Sequence, residues 1–353
     1  MSGFISGTSR RLTWQRFVVA LLACAAVMVL VCVLAPMLGV AQTRDGRSLE
    51  FLGASVFDEG SEASTIFWRI RVPRVLAGML VGGALAGAGC ALQALLRNPL
   101  AEPFTLGISS GASLFAVIAI RFGLDRHLGT IGIGGAAMIG AFVTLLLILQ
   151  LARVGRHLPP ATLVLAGVTL SMFWSSASVL IQYTSDFTEV SRMLRWMMGG
   201  LDSMQMSNVG ISAIPIAVGV IVLSAFGHSL NAMAAGPEVA ASLGVSVGRT
   251  QAIVFTVASA LVGIAIALAG PIGFIGLIVP HALRAVLGPD HRLLIPASVF
   301  GGAMLLVICD TIARTLAWPA QLPTGAVTAV MGGPFFIYIL VSQKRRAALW
   351  GRP

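Results

Sequence analysis

Long runs of apolar residues, separated by short polar segments, dominate this chain of 353 residues. Each run approaches the length of about 20 residues that an α-helix needs to cross a bilayer. The runs lie at 17–41, 75–96, 104–120, 128–150, 161–183, 209–227, 251–287, 293–313 and 322–341. The run 251–287 is too long for one helix, and Gly270-Pro271 interrupts it, so we divide it into two spans. The pattern therefore predicts an all-α, polytopic membrane protein with about ten transmembrane helices.

The polar segments divide the chain into one transmembrane domain, residues 17–343, and two tails, residues 1–16 and 344–353. Basic clusters flank both ends of this domain: Arg10, Arg11 and Arg16, and Lys344, Arg345 and Arg346. Lys and Arg next to a span favour the cytoplasm, and an even number of spans puts both termini on one side. We therefore expect two cytoplasmic tails, a periplasmic loop at 42–66 and a cytoplasmic loop at 228–250. The first run is too long for the core of a signal peptide, which favours an uncleaved span.

Composition supports a surface that faces lipid. Hydrophobic residues make up 57% of the chain and charged residues only 10%, whereas a soluble domain carries about 25% charged residues. The net charge is +10, and the basic residues that produce it lie at the edges of apolar runs. This distribution argues against nucleic acid as a partner. The four cysteines lie inside apolar runs and match neither a metal motif nor a disulfide framework.

The sequence contains no motif of an enzyme. It has no phosphate-binding G-x-x-x-x-G-K-[ST] loop, no H-E-x-x-H and no G-x-S-x-G. The five histidines have no paired spacing, so we expect no metal site. The chain is therefore predicted to bind no cofactor and to hydrolyse no nucleotide by itself.

Three arginines are candidates for contacts with a partner. Arg71 and Arg74 precede the second span, and Arg314 lies near the end of the ninth. A guanidinium at the mouth of a span stays accessible to water and suits bidentate pairing with a carboxylate. Interfacial anchoring explains Arg71 and Arg74 equally well. For Arg314 an internal ion pair with Asp310, four residues earlier, is the alternative.

Two further segments carry polar residues in unusual places. The connection Arg97–Pro103 holds two prolines, which fix a tight turn suited either to a gate or to a plain reversal. In the span 161–183 four polar side chains share one helical face, Ser171, Ser175, Ser178 and Gln182. Since lipid disfavours such a stripe, it must meet protein or water. Helix packing and the lining of a path both remain open.

The loop 228–250 contains a predicted short helix, Pro237–Leu243. Proline suits the first helical position, and Glu238 would lie near the positive helix end. Gly244 would end the helix. Gly78, Gly82, Gly83 and Gly87 indicate close helix contact, and the glycines and proline in 271–276 indicate a broken helix.

Several of these segments together resemble the FecCD family of permeases. The resemblance rests on RVPR at 71–74, NPLAEP at 98–103, LGISSGA at 106–112, GPIGFIGLIVPH at 270–281 and GPDHR at 288–292. It extends over about residues 65–340. It implies the permease fold of type II ABC importers, which take up ferric siderophores, haem or cobalamin across the bacterial inner membrane. The main alternative is a secondary transporter driven by an ion gradient.

The resemblance also implies partners and residue roles. The permease would form a homodimer in membrane lipid, with two cytoplasmic ATPase subunits that bind ATP and Mg, and a periplasmic substrate-binding protein. Arg71, Arg74 and Arg314 would dock the binding protein, and Asn98 and Leu100 would belong to the cytoplasmic gate. The helix that carries Ser171 and Ser175 would line the path together with the last span. Coupling to the ATPase would fall to Gly236, Pro237, Glu238, Ala241, Leu243 and Gly244. The sequence leaves the cargo open.

Overall fold

The structure, a computed structural model, describes residues 13–43, 46–58, 61–155, 157–202, 204–317 and 320–350. In chain order the helices are α1 (Trp14–Leu34), α2 (Glu62–Thr65), α3 (Val72–Leu95), α4 (Ile108–Arg121), α5 (Leu124–Leu151), α6 (Pro160–Tyr183), α7 (Phe187–Met197), α8 (Met206–Ala225), α9 (Gly227–Ala235), α10 (Pro237–Ser242), α11 (Val247–Ala269), α12 (Ile275–Leu287), α13 (His291–Leu316) and α14 (Thr324–Trp350). Strands β1 (Leu38–Thr43) and β2 (Gly46–Phe51) form one antiparallel hairpin.

Each predicted span corresponds to a helix. The matching helices are α1, α3, α4, α5, α6, α8, α11, α12, α13 and α14. Within the described part of the chain, seven helical segments are long and apolar enough to cross a membrane, and three shorter apolar helices account for the remaining predicted spans. The shorter ones are Ile108–Arg121, Ile275–Leu287 and Thr324–Ile339. The all-α membrane fold is therefore confirmed.

Three features go beyond the sequence prediction. The segment 42–66, expected to be a polar loop, contains part of the β-hairpin and the start of a helix that continues through the π-helical turn Ile66–Arg71 into α3. Helix α7 lies where no element was predicted. Its N-terminus carries a capping box, in which Asp186 accepts the Glu189 N–H and Glu189 accepts the Asp186 N–H. Helix α14 continues to Trp350 through most of the predicted C-terminal tail. Arg10 and Arg11 lie outside the described residues.

Helix α3 forms the centre of the fold. Most of its residues from Pro73 to Leu95 are buried, and it packs against α11, α12 and α13. A Cβ at Gly82 would overlap the backbone of Gly302, and one at Gly89 would overlap Gly276. Gly82, which the sequence marks for close helix contact, and Gly89, which it does not, thus both allow backbones to approach closely. These contacts place α3 against α13 and against the start of α12.

The break between α11 and α12 is also present. Helix α11 ends at Ala269, and α12 begins at Ile275 after an irregular segment. Phe274, the residue before α12, has φ 69°, in the left-handed region that side chains other than glycine rarely adopt. Its backbone N–H donates to the carboxylate of Glu102, in the connection between α3 and α4. That bond satisfies one of the free donors at the start of α12.

The helix ends define two sides of the molecule, which we name by their landmarks. On the hairpin side, the end of α13 contacts the start of β1 through Arg314. On the α10 side, Arg16 at the start of α1 donates to the carbonyl of Leu287 at the end of α12. Asn231 of α9 binds Asp290 on this same side. The two sides are therefore the two candidate surfaces for soluble partners.

Candidate functional site

Arg74 occupies the centre of a buried ion-pair cluster on the hairpin side. Its Nε donates to both carboxylate oxygens of Asp310, at 2.9 and 2.8 Å, and its Nη1 donates to Gln321 at 2.8 Å. Its Nη2 lies 3.1 Å from a carboxylate oxygen of Asp202. Arg74 is 4% exposed and Asp310 is 3% exposed. The cluster joins α3, the α7–α8 connection, α13 and the segment that precedes α14.

Asp202 is the accessible carboxylate of this cluster, since its side chain is 55% exposed. Partial burial raises the pKa of the Asp202 carboxyl above its ordinary value, while the Arg74 guanidinium acts to lower it and Asp310 to raise it further. Arg74 therefore faces two carboxylates of different character. Asp310 is locked in the protein, and Asp202 borders water.

Arg314 and Arg71 both hold the chain that leads into the hairpin. Arg314 donates to the carbonyls of Ala35 and Leu38, and Arg71 donates to the carbonyl of Pro36 at 2.9 Å. These bonds satisfy backbone acceptors between the end of α1 and the start of β1. Two of the three predicted docking arginines thus also position the surface next to them.

The structure corrects two details of the arginine prediction. Arg74 does not stay accessible to water, because the fold uses its guanidinium to neutralise a buried aspartate. The internal ion pair between Arg314 and Asp310 is not formed. Asp310 instead accepts hydrogen bonds from Arg74 and Thr324. Sequence spacing suggested the wrong pair because Arg74 lies on a different helix. The docking role of all three arginines stays a prediction.

The connection between α3 and α4 is a compact turn. The side-chain oxygen of Asn98 accepts the Leu100 N–H at 3.0 Å, and its backbone carbonyl accepts the Ala101 N–H at 3.0 Å. Arg97 adopts a left-handed conformation with φ 50°. Such a side-chain to backbone bond is typical of asparagine in turns. The turn is therefore rigid, as the two prolines predicted.

Asn98 borders a cavity of about 440 Å³ between this turn and the first half of α6. The α6 wall of this cavity is apolar and is made by Pro160, Ala161, Val164, Leu165 and Val168. Leu165 and Val168 belong to an exposed row that continues along α6 to Met172 and Val179. The predicted gate residue Asn98 thus adjoins the exposed face of α6, whereas Leu100 is absent from the lining.

The polar stripe of α6 lies mostly inside the chain. Ser171 shares a hydrogen bond of 2.6 Å with Ser110 of α4, and Gln182 donates to the Met197 sulfur of α7 at 3.3 Å. Ser178 is 2% exposed, and Ser175 is exposed. Helix packing, the alternative named above, accounts for three of the four residues. Ser175 is the exposed member of the stripe, and the path-lining role of these residues stays a prediction.

Helix α10 has the predicted form. Gly236 precedes it with φ 132°, Pro237 occupies its first turn, and Gly244 follows it with φ 79°. Glycine is required at Gly244 because an L side chain is strained at that φ. Ala240 is the residue of α10 that is buried, whereas Pro237, Glu238, Ala241 and the following Leu243 are exposed. The helix therefore projects from the α10 side with an apolar tip, whose Leu243 is 65% exposed.

A cluster that the sequence analysis did not assign fixes α9 to α13. The Asn231 side chain donates to Asp290 at 2.7 Å and accepts the His291 backbone N–H at 2.8 Å. Arg292 donates to Asp290 at 2.6 Å. Burial alone would raise the pKa of Asp290, but hydrogen bonds from Arg292 and Asn231 outweigh burial and lower it to about 2. The GPDHR motif at 288–292 includes Asp290 and Arg292. The third member, Asn231, could not be assigned to them from the sequence, because it is distant along the chain.

Comparison with known proteins agrees with this arrangement. The cobalamin import system permease protein BtuC of Halobacterium salinarum is 39% identical over 285 residues, which cover 81% of this chain and 76% of that protein. The hemin transport system permease protein HmuU of Yersinia pestis is 38% identical over 283 residues, which cover 80% and 84%. A metal-chelate type ABC transporter in an inward-facing conformation superposes with a TM-score of 0.79 at 27% identity, covering 91% of this chain and 98% of that one.

The helical fold and these relatives assign the chain to the class of multi-pass permease subunits of ABC importers. More specifically, the chain belongs to the FecCD transport family, whose model matches residues 27–342. In this family the ATPase is a separate partner subunit. The secondary-transporter alternative is not favoured. Asp310, a buried carboxylate of the kind that such a transporter uses to couple an ion, is already bound by Arg74.

Proposed function

We propose that this permease works as a homodimer in the bacterial inner membrane and imports an iron chelate or cobalamin. The relatives named for cobalamin and hemin support this class of cargo. In this proposal the hairpin side faces the periplasm and receives the binding protein, and both termini lie in the cytoplasm. The α10 side receives two ATPase subunits, which carry the ATP and Mg.

The single observation that carries the coupling proposal is the exposed tip of α10. A short helix with one buried residue, Ala240, and an apolar exposed end contributes little to the core of its own chain. Exposed apolar residues at such a tip favour burial against a partner. Asn231 connects α9 to Asp290 at the start of α13. A displacement of α10 would therefore be transmitted through α9 to α13, which packs on the central helix α3.

The dimer proposal is supported by the exposed apolar face of α6, which includes Leu165, Met172 and Val179. Helix α14 has a similar face at Val330 and Ile337. Between two copies these faces would enclose an apolar path that offers a bulky cargo weak contacts. The cavity beside Asn98 would then lie at the cytoplasmic end of this path.

For docking, we propose that a carboxylate of the binding protein replaces Asp202 as a partner of Arg74. Asp202 is half-exposed and its charge is held at 3.1 Å by one guanidinium nitrogen. Asp310 would keep the other side of the guanidinium, so Arg74 need not leave its buried position. Arg71 and Arg314 would hold the adjacent hairpin surface in place.

The substitution Leu243→Asp tests the coupling proposal. Leu243 is exposed, so we expect the variant to fold with a change in stability within about 0.5 kcal/mol. A charge at an apolar contact that excludes water should nevertheless remove most of the ATPase stimulation by cargo-loaded binding protein. The matched control is Ser242→Ala, at the neighbouring exposed position. Full stimulation in Leu243→Asp would contradict the proposal.

A further inference from the structure

A second cavity lies on the hairpin side, away from the gate and from α10. Its volume is about 520 Å³, and it lies between α5, α7, α8 and α11. Ile131 and Met138 of α5 and Ile211 of α8 form its walls, and Ile264 and Leu268 of α11 form its floor. The cavity is therefore a groove between two spans that is closed at the back by a third.

Two guanidinium groups border the hairpin-side end of this groove. Arg192 and Arg195 of α7 both line it, and residues three apart share one face of a helix. Glu189 of α7 pairs with Arg121 at 2.9 Å, and Asp186 caps the helix. Asp202 also lines the groove and shares Arg74 with Asp310. Among the described side chains that line the mouth, two guanidinium groups therefore outnumber one carboxylate.

The rest of the groove is apolar and opens to the surface of the chain. Ile131 and Ile211 are exposed in the chain, and the apolar surface continues along α5 at Ile139 and along α8 at Ile214 and Val218. Trp196, which also lines the groove beside the arginines, is a residue type enriched at the level of lipid headgroups. A ligand that carries both an anionic group and an apolar chain would fit this groove. Its anionic group would lie at the arginines, and its chain would lie along the apolar walls.

A glycine keeps the groove open. A Cβ at Gly135, which lines the groove, would meet no heavy atom within 4 Å. The adjacent Gly134 is different, because its Cβ would press against the backbone of Ala267. Gly134 thus serves the contact between α5 and α11, whereas Gly135 borders empty space. A larger side chain at Gly135 would fill the groove without disturbing the packing of α5.

From this combination we propose that the groove is a binding site for an anionic glycerophospholipid of the hairpin-side leaflet. The lipid phosphate binds Arg192 and Arg195, and one acyl chain lies between α5 and α8 over α11. The site would connect helix α7 to the surrounding bilayer, and the connection from α7 to α8 carries Asp202 of the Arg74 cluster. This inference requires that the chain spans a membrane but is independent of the cargo and of the dimer.

Native mass spectrometry of the full-length chain tests the site, with phosphatidylglycerol and phosphatidylcholine supplied at equal mole fraction. We expect wild type to retain phosphatidylglycerol about tenfold more tightly than phosphatidylcholine, since two charge-assisted contacts act on its net negative headgroup. Arg192→Gln combined with Arg195→Gln should reduce this preference to within about twofold. Arg195→Gln alone, at an exposed side chain, should reduce it in part. Arg69→Gln removes an exposed arginine elsewhere on the hairpin side and should leave it unchanged.

Gly135→Leu provides the second arm because it fills the groove and keeps every charge. We expect it to weaken retention of both lipids, whereas Gly210→Leu, at another open helical glycine outside the groove, should not. Equal retention of phosphatidylglycerol by wild type and the double arginine variant would overturn the proposal. So would unchanged retention in Gly135→Leu, or displacement of the lipid by millimolar inorganic phosphate alone. A disulfide between two copies through Ile211→Cys would assign the groove to a subunit interface instead.

Discussion

At the scale of single residues, Arg74 illustrates what sequence position cannot determine. Its place before a span predicts an arginine at a helix mouth, and the structure confirms that location. Its partners are Asp310 and Asp202, which are more than a hundred residues away in the chain. The spacing rule for helices finds only partners on the same helix, and so it assigned Asp310 to Arg314. Pairs between helices depend on the packing of α3 against α13.

The Arg74 cluster leads to a prediction about stability. Arg74→Gln leaves Asp310 buried and without its cation, which should destabilise the chain by about 3–5 kcal/mol. Thermal unfolding of the purified chain would show a marked fall in midpoint. Adding Asp310→Asn should recover part of the loss, since the two substitutions share one interaction. Arg69→Gln is the control. Equal midpoints for Arg74→Gln and wild type would show that the pair contributes nothing.

Asp290 leads to a prediction about pH. Its pKa falls from the ordinary value of 3.8 to about 2 in the folded chain. A carboxyl whose folded pKa is lowered contributes stability above its unfolded pKa and loses it as pH falls through the folded value. The stability difference between wild type and Asp290→Asn should therefore be present at neutral pH and narrow between about pH 4 and pH 2. Asn keeps the helix cap at this position. A difference that does not change across this range would contradict the assignment.

At the scale of elements, the sequence predicts the ten apolar helices, the break at Gly270-Pro271 and helix α10. Apolar length and the positions of proline and glycine are local signals, so no tertiary knowledge was needed. The apolar pattern does not predict helix α7, because this helix is amphipathic and short. Asp186 and Glu189 nevertheless form a recognisable capping box. The stripe from Ser171 to Gln182 was correctly placed on one face. Its contacts with α4 and α7 could not be read from one helix alone.

Close packing of α3 on α13 supplies the prediction at this scale. Gly82→Leu would force a side chain into the backbone of Gly302, and overpacking of this kind costs about 1–3 kcal/mol or more. Gly210→Leu is the matched control, since its Cβ meets open space and removal of a helical glycine should stabilise α8 by about 0.5–1 kcal/mol. Opposite shifts in the unfolding midpoint are expected. Similar shifts in both variants would argue against the tight contact.

At the scale of the whole molecule, the two sides have different construction. The hairpin side is held by buried ion pairs and by arginines that bind backbone carbonyls, which favours a stable docking surface. The α10 side carries a projecting helix with one buried residue, which favours a moving contact. Family membership establishes a permease of an ABC importer. The relatives include permeases named for cobalamin and for hemin, so membership of the family does not define the cargo.

Reconstitution in liposomes distinguishes an importer driven by ATP from a transporter driven by an ion gradient. The purified permease would be combined with its ATPase and its binding protein, and uptake of radiolabelled ferric siderophore, haem and cyanocobalamin would be measured in parallel. We predict accumulation of one of these cargoes that requires both ATP and the binding protein and that Leu243→Asp abolishes. Uptake that persists on an ion gradient without the ATPase would contradict the account.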